Sequence, residues 1–291
     1  MAAREARARA RLAGATVSTR DDRATLDALR ADLLAEQASL DTVLAALEAA
    51  QWHRATPSAG WDVADQIGHL AYFDRAAALA ITDPERFTGE LEAFLERVLA
   101  VGMDQYTLAA MRALSPHELL ATWREQRAAL EAAAATLTPA ARVPWYGPSM
   151  SATSFLTARL MEVWAHGHDV DEALGAVRPA SDRVRHIVQL GFITRGWSYR
   201  VRGESPPEGT VRLELTSSSL ELWTWGDDDA DDVVRGPAED FCLVVTQRRH
   251  LDDTSLTTGE LGRHWLVRAQ AFAGAATNGP PPRSTRATTA D

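Results

Sequence analysis

The sequence predicts an α+β protein, with a helical bundle over residues 25–202 followed by a small α/β unit over residues 203–277. Three observations carry that expectation. Apolar residues recur with the 3.6-residue period of a helix through the first two thirds of the chain. Capping and breaking residues cut this pattern into segments of ordinary helix length. After Gly203 the apolar period switches to two, as in strands.

Taken in order, Leu26, Leu29, Leu33, Leu40, Val43, Leu44 and Leu47 give a first amphipathic helix over residues 25–50, stopped by Thr56-Pro57-Ser58-Ala59-Gly60. Asp62, with Asp65 three residues on, is an N-cap for a second helix that carries Ile67, His69, Leu70, Phe73 and Leu79 to about residue 81. Thr82-Asp83-Pro84 ends it. Residues 85–114 read as a third helical region with Gly102 its weak point. Ser115-Pro116-His117-Glu118 is a capping box with proline at the first helical position, and it opens a helix to about residue 137. Residues 138–151 hold three prolines and one glycine and suit a connection. Ser151 or Ser154 starts the next helix, which ends at a left-handed cap near Gly175. One more helix spans residues 181–199. Residues 210–216 and 220–225 alternate as hairpin strands, Val233-Val234 is a short strand, and helices begin near Pro237 and Gly259. The leader, residues 1–24, and the tail, residues 278–291, are expected to be disordered. No internal repeat is present.

Composition narrows the function. The net charge of −10 leaves no footprint for nucleic acid, and no apolar run is long enough to span a bilayer, so neither partner is expected. All 30 basic residues are arginine, which excludes lysine Schiff-base chemistry. The one cysteine, Cys242, sits among Phe241, Leu243, Val244 and Val245 and reads as a packing residue, which fits a reducing cytoplasmic location.

The chemistry-bearing residues are Glu162 and His166, one helical turn apart, together with His69 on the second helix. Residues four apart share a helix face, so the carboxylate and imidazole project together toward a neighbouring helix. Two imidazoles and one carboxylate leave positions open on a divalent ion, as in a reactive site rather than a closed structural one. The plainer readings are an ordinary Glu–His pair on an exposed face and a hydrogen-bonded core histidine at position 69. His168, two residues from His166, faces elsewhere. Asp169 lies three after His166 and could orient that imidazole or pair with an arginine such as Arg159.

These residues resemble a known family. His69 within the stretch Gly60-Trp61-Asp62-Val63-Ala64-Asp65-Gln66-Ile67-Gly68-His69-Leu70, followed by Glu162 and His166, is similar to the mycothiol-dependent maleylpyruvate isomerases, within the wider DinB-like metal-binding superfamily. The likeness extends to Arg235-Gly236-Pro237-Ala238-Glu239-Asp240 and Gln247-Arg248-Arg249, and covers roughly residues 25–275. It implies a DinB-like bundle that holds a divalent metal, usually taken as zinc, on His69, Glu162 and His166. It also implies a C-terminal domain that helps bind the small thiol mycothiol, with an arginine near the end of its first helix contacting that cofactor. Arg248 and Arg249 both fit, with Arg249 favoured. The long region between the ligand-bearing helices and the Asp227-Asp228-Asp229 loop point to a less characterised branch.

The expected function is therefore isomerisation or S-conjugation of a small electrophilic substrate by a metal-activated thiol. Two other readings share the site: a metal-dependent hydrolase that needs no thiol, and a binding module for a metal or small ligand. Trp61, Trp145, Trp164 and Trp197 would line the module's pocket or pack in the core.

Overall fold

The computed structural model describes residues 19–286 and has the expected α+β class. The bundle is made of α1 (Thr19–Ala45), α2 (Val63–Thr82), α5 (Pro116–Ala134) and α6 (Ala152–Leu174). Between α2 and α5 the chain forms α3 (Pro84–Val101) and α4 (Met103–Arg112), both packed on α2. α1 packs on α6, and α2 lies against both α5 and α6. A 3-10 turn, Ala49–His53, leads into α2.

Local chemistry sets these boundaries. The Asp62 carboxylate accepts from Asp65 N, and Asp65 returns a contact to the Asp62 backbone, so α2 starts where two orphan donors are satisfied. Asp65 also takes a bidentate pair from Arg112 at 2.8 and 2.9 Å, which ties the end of α4 to the start of α2. Gly102, at φ 88°, ψ 155°, breaks the third helical region into α3 and α4, as its weak helix propensity implies. Ser115 and Glu118 form the expected capping box with Pro116 in the first turn. Ser151 caps α6 by accepting from Ser154 N at 3.1 Å, and Gly175 closes it in the left-handed conformation.

Several boundaries differ from the expectations above. The leader expected to run to residue 24 is already helical from Thr19, and Arg23 bonds both Asp27 and the Leu137 carbonyl. The rest of that leader lies outside the described residues. Near the other terminus, the Asp253 carboxylate accepts from Arg283 N, and a short helix, Arg283–Arg286, follows; residues 287–291 lie outside the description. The helix expected over 181–199 is two, α7 (Val184–Ile193) and α8 (Arg195–Arg200), because the Thr194 hydroxyl bonds the Leu190 and Gly191 carbonyls at the break. The 138–151 connection contains a two-residue ladder, β1 (Arg142–Val143) with β2 (Met150–Ser151).

The later part of the chain builds a three-stranded sheet. Its central strand β3 (Val211–Thr216) pairs antiparallel with β4 (Leu222–Trp225) and parallel with β5 (Asp232–Pro237), giving the order β4-β3-β5. Val211, Leu213 and Leu215 bury one face of β3, the period-two pattern made physical. α9 (Ala238–Val245) packs on α7, and the Cys242 thiol, fully buried, faces the Val184 carbonyl at 3.6 Å. Burial holds that thiol well above its usual pKa, so Cys242 is inert packing. The sheet is completed by α10 (Glu260–Leu266), which lies on β5.

Close approach of α7 and α9 depends on Gly191, where a Cβ would come within 2.8 Å of Phe241 and 2.9 Å of Val245. Gly191→Val is expected to destabilise the protein by about 1–3 kcal/mol through overpacking. Urea denaturation measures it, and an unchanged midpoint would refute the close packing.

Candidate metal centre

α2 and α6 bring His69, Glu162 and His166 together. One ligand atom from each lies within 4.8 Å of the others. Both imidazoles aim Nε2 at the same carboxylate oxygen: His166 Nε2 is 3.1 Å from Glu162 Oε2, and His69 Nε2 is 3.4 Å from it. The two imidazole rings lie 4.4 Å apart. Trp61 stacks on His166 at 5.9 Å and leans on His69 at 5.3 Å, while Phe73 covers another side of His69 at 4.6 Å. His166 is buried, and the other two are half-buried.

The proton on His166 is placed by a chain of hydrogen bonds that begins at a backbone carbonyl, a group that can only accept. The Thr56 hydroxyl donates to the Trp61 carbonyl at 3.0 Å. Its oxygen is thereby free to accept from Gln66 Nε2 at 2.8 Å. The Gln66 amide oxygen then faces His166 Nδ1, which must donate to it. The Nε2 of His166 therefore presents a lone pair to the Glu162 carboxylate. Two lone-pair carriers at that separation repel unless a cation lies between them. With a second imidazole beside them, the donors are those that borderline divalent ions such as zinc take.

Electrostatics agree. Burial, then the facing His69, push the His166 pKa from 6.5 down to about 3, against the opposing pull of Glu162. With His166 Nε2 bare in this tautomer, what favours the ionised Glu162 against the upward push of burial is the facing His69 and the Arg159 charge, which hold it below the usual carboxylate range. A neutral imidazole beside a carboxylate is the state that ligation requires.

The surroundings decide between the two readings of Asp169. It does not orient His166 but pairs with an arginine, Arg248 rather than Arg159. Its Oδ2 accepts from Arg248 Nε and Nη2 at 3.2 and 3.0 Å and from the Ser58 hydroxyl at 3.2 Å. Arg159 instead faces the fully buried Asp74, Nε to Oδ1 at 3.6 Å, under Trp145. Burial, partly countered by Arg159 and by Trp123, lifts the Asp74 pKa to about 6. Gln66 and Asp74 escaped the sequence reading. Their signal was two polar residues on the stripe Gln66-Leu70-Asp74-Ala77, whose other members are apolar.

Of the two candidate arginines, Arg248 reaches α6 through Asp169, whereas the charge of Arg249 is felt by His168 and Glu239. His168 points away from the triad and stacks on Trp164 at 5.7 Å. The four tryptophans share no pocket: Trp61 flanks the triad, Trp145 stacks on Phe87, Trp164 is core, and Trp197 donates to the Phe272 carbonyl.

The family model described as the mycothiol maleylpyruvate isomerase N-terminal domain matches residues 33–171, a span that includes all three converging side chains. Uncharacterized proteins from two strains of Mycobacterium tuberculosis are each 44% identical over 245 residues, covering 84% of this chain and 95% of their own. Crystal structures of the mycothiol-dependent maleylpyruvate isomerase and of a mutant form superpose with TM-scores of 0.54 and 0.56. At 18% identity, over 80% of this chain and 92% of theirs, they share its fold.

A depressed histidine pKa has a consequence for acid stability. The unfolded chain binds a proton on this histidine near pH 6.5, and the folded chain refuses it until about pH 3, so stability falls as pH drops through that window. For metal-stripped protein the loss attributable to His166 is about 2 kcal/mol at pH 5 relative to pH 8. Urea midpoints across this range measure it, and a His166→Asn variant that keeps the full pH dependence would show that the cause lies elsewhere.

Proposed function

Because this chain belongs to the mycothiol maleylpyruvate isomerase family, we propose that it is a divalent-metal enzyme that uses mycothiol to isomerise or S-conjugate a small electrophilic substrate. The observation that carries this reading is the His166 Nε2 lone pair, fixed by the Thr56–Gln66 chain and turned toward the Glu162 carboxylate beside His69.

His69, Glu162 and His166 would hold the ion through two nitrogens and one oxygen. The bound ion would lower the pKa of a thiol so that a thiolate is available at neutral pH, with zinc as the expected metal. The protein's own residues do the positioning. Gln66 keeps the His166 ring from rotating and its proton on Nδ1. Trp61 shields the ring face from water. Arg248, clamped by Asp169 three residues after His166, brings a guanidinium to the side of α6 and is assigned here to the thiol cofactor in place of Arg249. The Nη1 of Arg248 is tied down as well, donating to the Thr246 carbonyl at 2.8 Å, so this cation is held rather than free to swing.

In the reaction, the thiol gives its proton to solvent and the thiolate forms a sulfur–carbon bond at the electrophilic carbon, while the π pair of the conjugated double bond moves onto the substrate carbonyl as an enolate and leaves a single bond. Rotation about that single bond followed by expulsion of the thiolate gives the isomer. Protonation of the adduct with sulfur retained gives the conjugate.

Purified protein is expected to carry about one divalent ion per chain, which His69→Ala and Glu162→Gln each reduce toward zero. Elemental analysis measures this, and full metal content in both variants would defeat the proposal. Arg248→Gln is expected to keep the ion but raise the KM for mycothiol by about tenfold, the worth of a lost charge-assisted contact. An unchanged KM, measured by varying thiol at fixed substrate, would remove Arg248 from the cofactor site.

A further inference from the structure

Beyond the triad, α2 continues into a cavity that the reading above does not use. Its volume is about 300 Å³, at the lower end of small-molecule sites. Tyr72, Phe87, Phe94, Tyr106 and Tyr146 give it an aromatic lining, to which α2 also contributes Ala76 and α3 Leu91. The rings pack on one another, Phe94 edge to face with Tyr106 at 5.5 Å and tilted against Tyr146 at 4.5 Å. Such walls receive another flat ring through the same quadrupole preference.

The polar groups of the cavity have defined roles. Burial raises the pKa of Tyr72 to about 12 and pushes that of Tyr146 up as well, so both stay protonated and the wall offers hydroxyl hydrogen to an incoming oxygen. Arg86 is matched by Glu90 at 2.8 Å. Arg75 is different. It lies exposed over the Tyr72 ring at 5.5 Å and makes no ion pair among the described residues. One cation at the rim is thus left for an anionic group.

The cavity is also placed to serve the triad. Along α2, Tyr72 and Leu79 lie about 4.5 and 15 Å from His69, at 1.5 Å per residue. Phe73 links the two, its ring 4.6 Å from His69 and 5.8 Å from Tyr146 on the cavity wall.

We infer that this cavity seats the non-reacting body of the substrate and selects a molecule with an aromatic ring and a carboxylate, the ring against the wall formed by Phe94, Tyr106 and Tyr146 and the acid at Arg75. The substrate role rests on the reaction centre proposed above; the binding itself does not. The volume excludes large polycyclic bodies, and the aromatic lining gives a short aliphatic diacid little to pack against.

The test uses 2-naphthoate as the probe, 2-naphthol as its uncharged counterpart and acetate as a ring-free acid. Isothermal titration is run on the full chain, with and without chelator. Naphthoate is expected to bind in both states and acetate in neither. Ala76→Trp, which fills the cavity, is expected to weaken naphthoate by about tenfold or more. Arg75→Gln is expected to weaken naphthoate by about fivefold and leave naphthol unchanged. Leu91→Phe narrows the same space and serves if Ala76→Trp does not fold. Absence of naphthoate binding, or binding that a folded cavity-filling variant leaves intact, would overturn the inference. Naphthoate binding that survives chelation in a protein with no thiol-dependent turnover would sink the proposed reaction and leave the cavity standing.

Discussion

The site depends on where one proton sits. A neutral imidazole can expose either nitrogen, and the two choices present opposite faces to Glu162. The decision is made away from the triad, at the Trp61 carbonyl, and passed through the Thr56 hydroxyl and the Gln66 amide to His166 Nδ1. Each link is forced by the one before it, because a carbonyl cannot donate and a hydroxyl has one hydrogen to give. The loop before α2, which carries Thr56 and Trp61, is thus part of the centre. Its position is itself fixed by the Ala55–Asp62 bridge and by the Thr56 N to Trp61 O bond.

α2 gathers most of the function onto one helix. Its first turns carry Gln66 and His69, its middle carries Phe73 and the buried Asp74 that answers Arg159, and its remainder carries Arg75, Ala76 and Leu79 along the aromatic cavity. Several faces of α2 are therefore engaged, which accounts for its high apolar and small-residue content. It is covered by α5 and α6 on the bundle side and by α3 and α4 on the other. Gly68 permits the second approach, since a Cβ there would meet Met111 of α4 at 2.9 Å.

The parts of this arrangement visible in the sequence were those set by local rules. Caps at Asp62, Ser115 and Ser151, the left-handed Gly175 and the break at Gly102 all follow from backbone chemistry within a few residues. The spacing of Glu162 and His166 belongs to the same class, because a helix alone puts them on one face. The partner of Asp169 did not. A carboxylate three residues after a histidine is compatible with orienting it, and only the packing of α9 shows that Arg248 claims it instead. The Gln66 chain was hidden for a similar reason, since it joins residues 100 positions apart and a glutamine on a helix is usually unremarked. The split between α7 and α8 turned on a threonine choosing backbone carbonyls over solvent, a competition that periodicity does not register.

Cys242 adds a practical asymmetry. It is the only sulfhydryl in the chain, and it lies sealed between α7 and α9 with its proton firmly held. A thiol that meets the His69–Glu162–His166 cluster must therefore arrive from outside. A maleimide or aromatic disulfide added to the native protein and a small thiol reports on that thiol alone, with no background from the polypeptide. Denaturing the sample adds one equivalent, an internal standard for protein concentration.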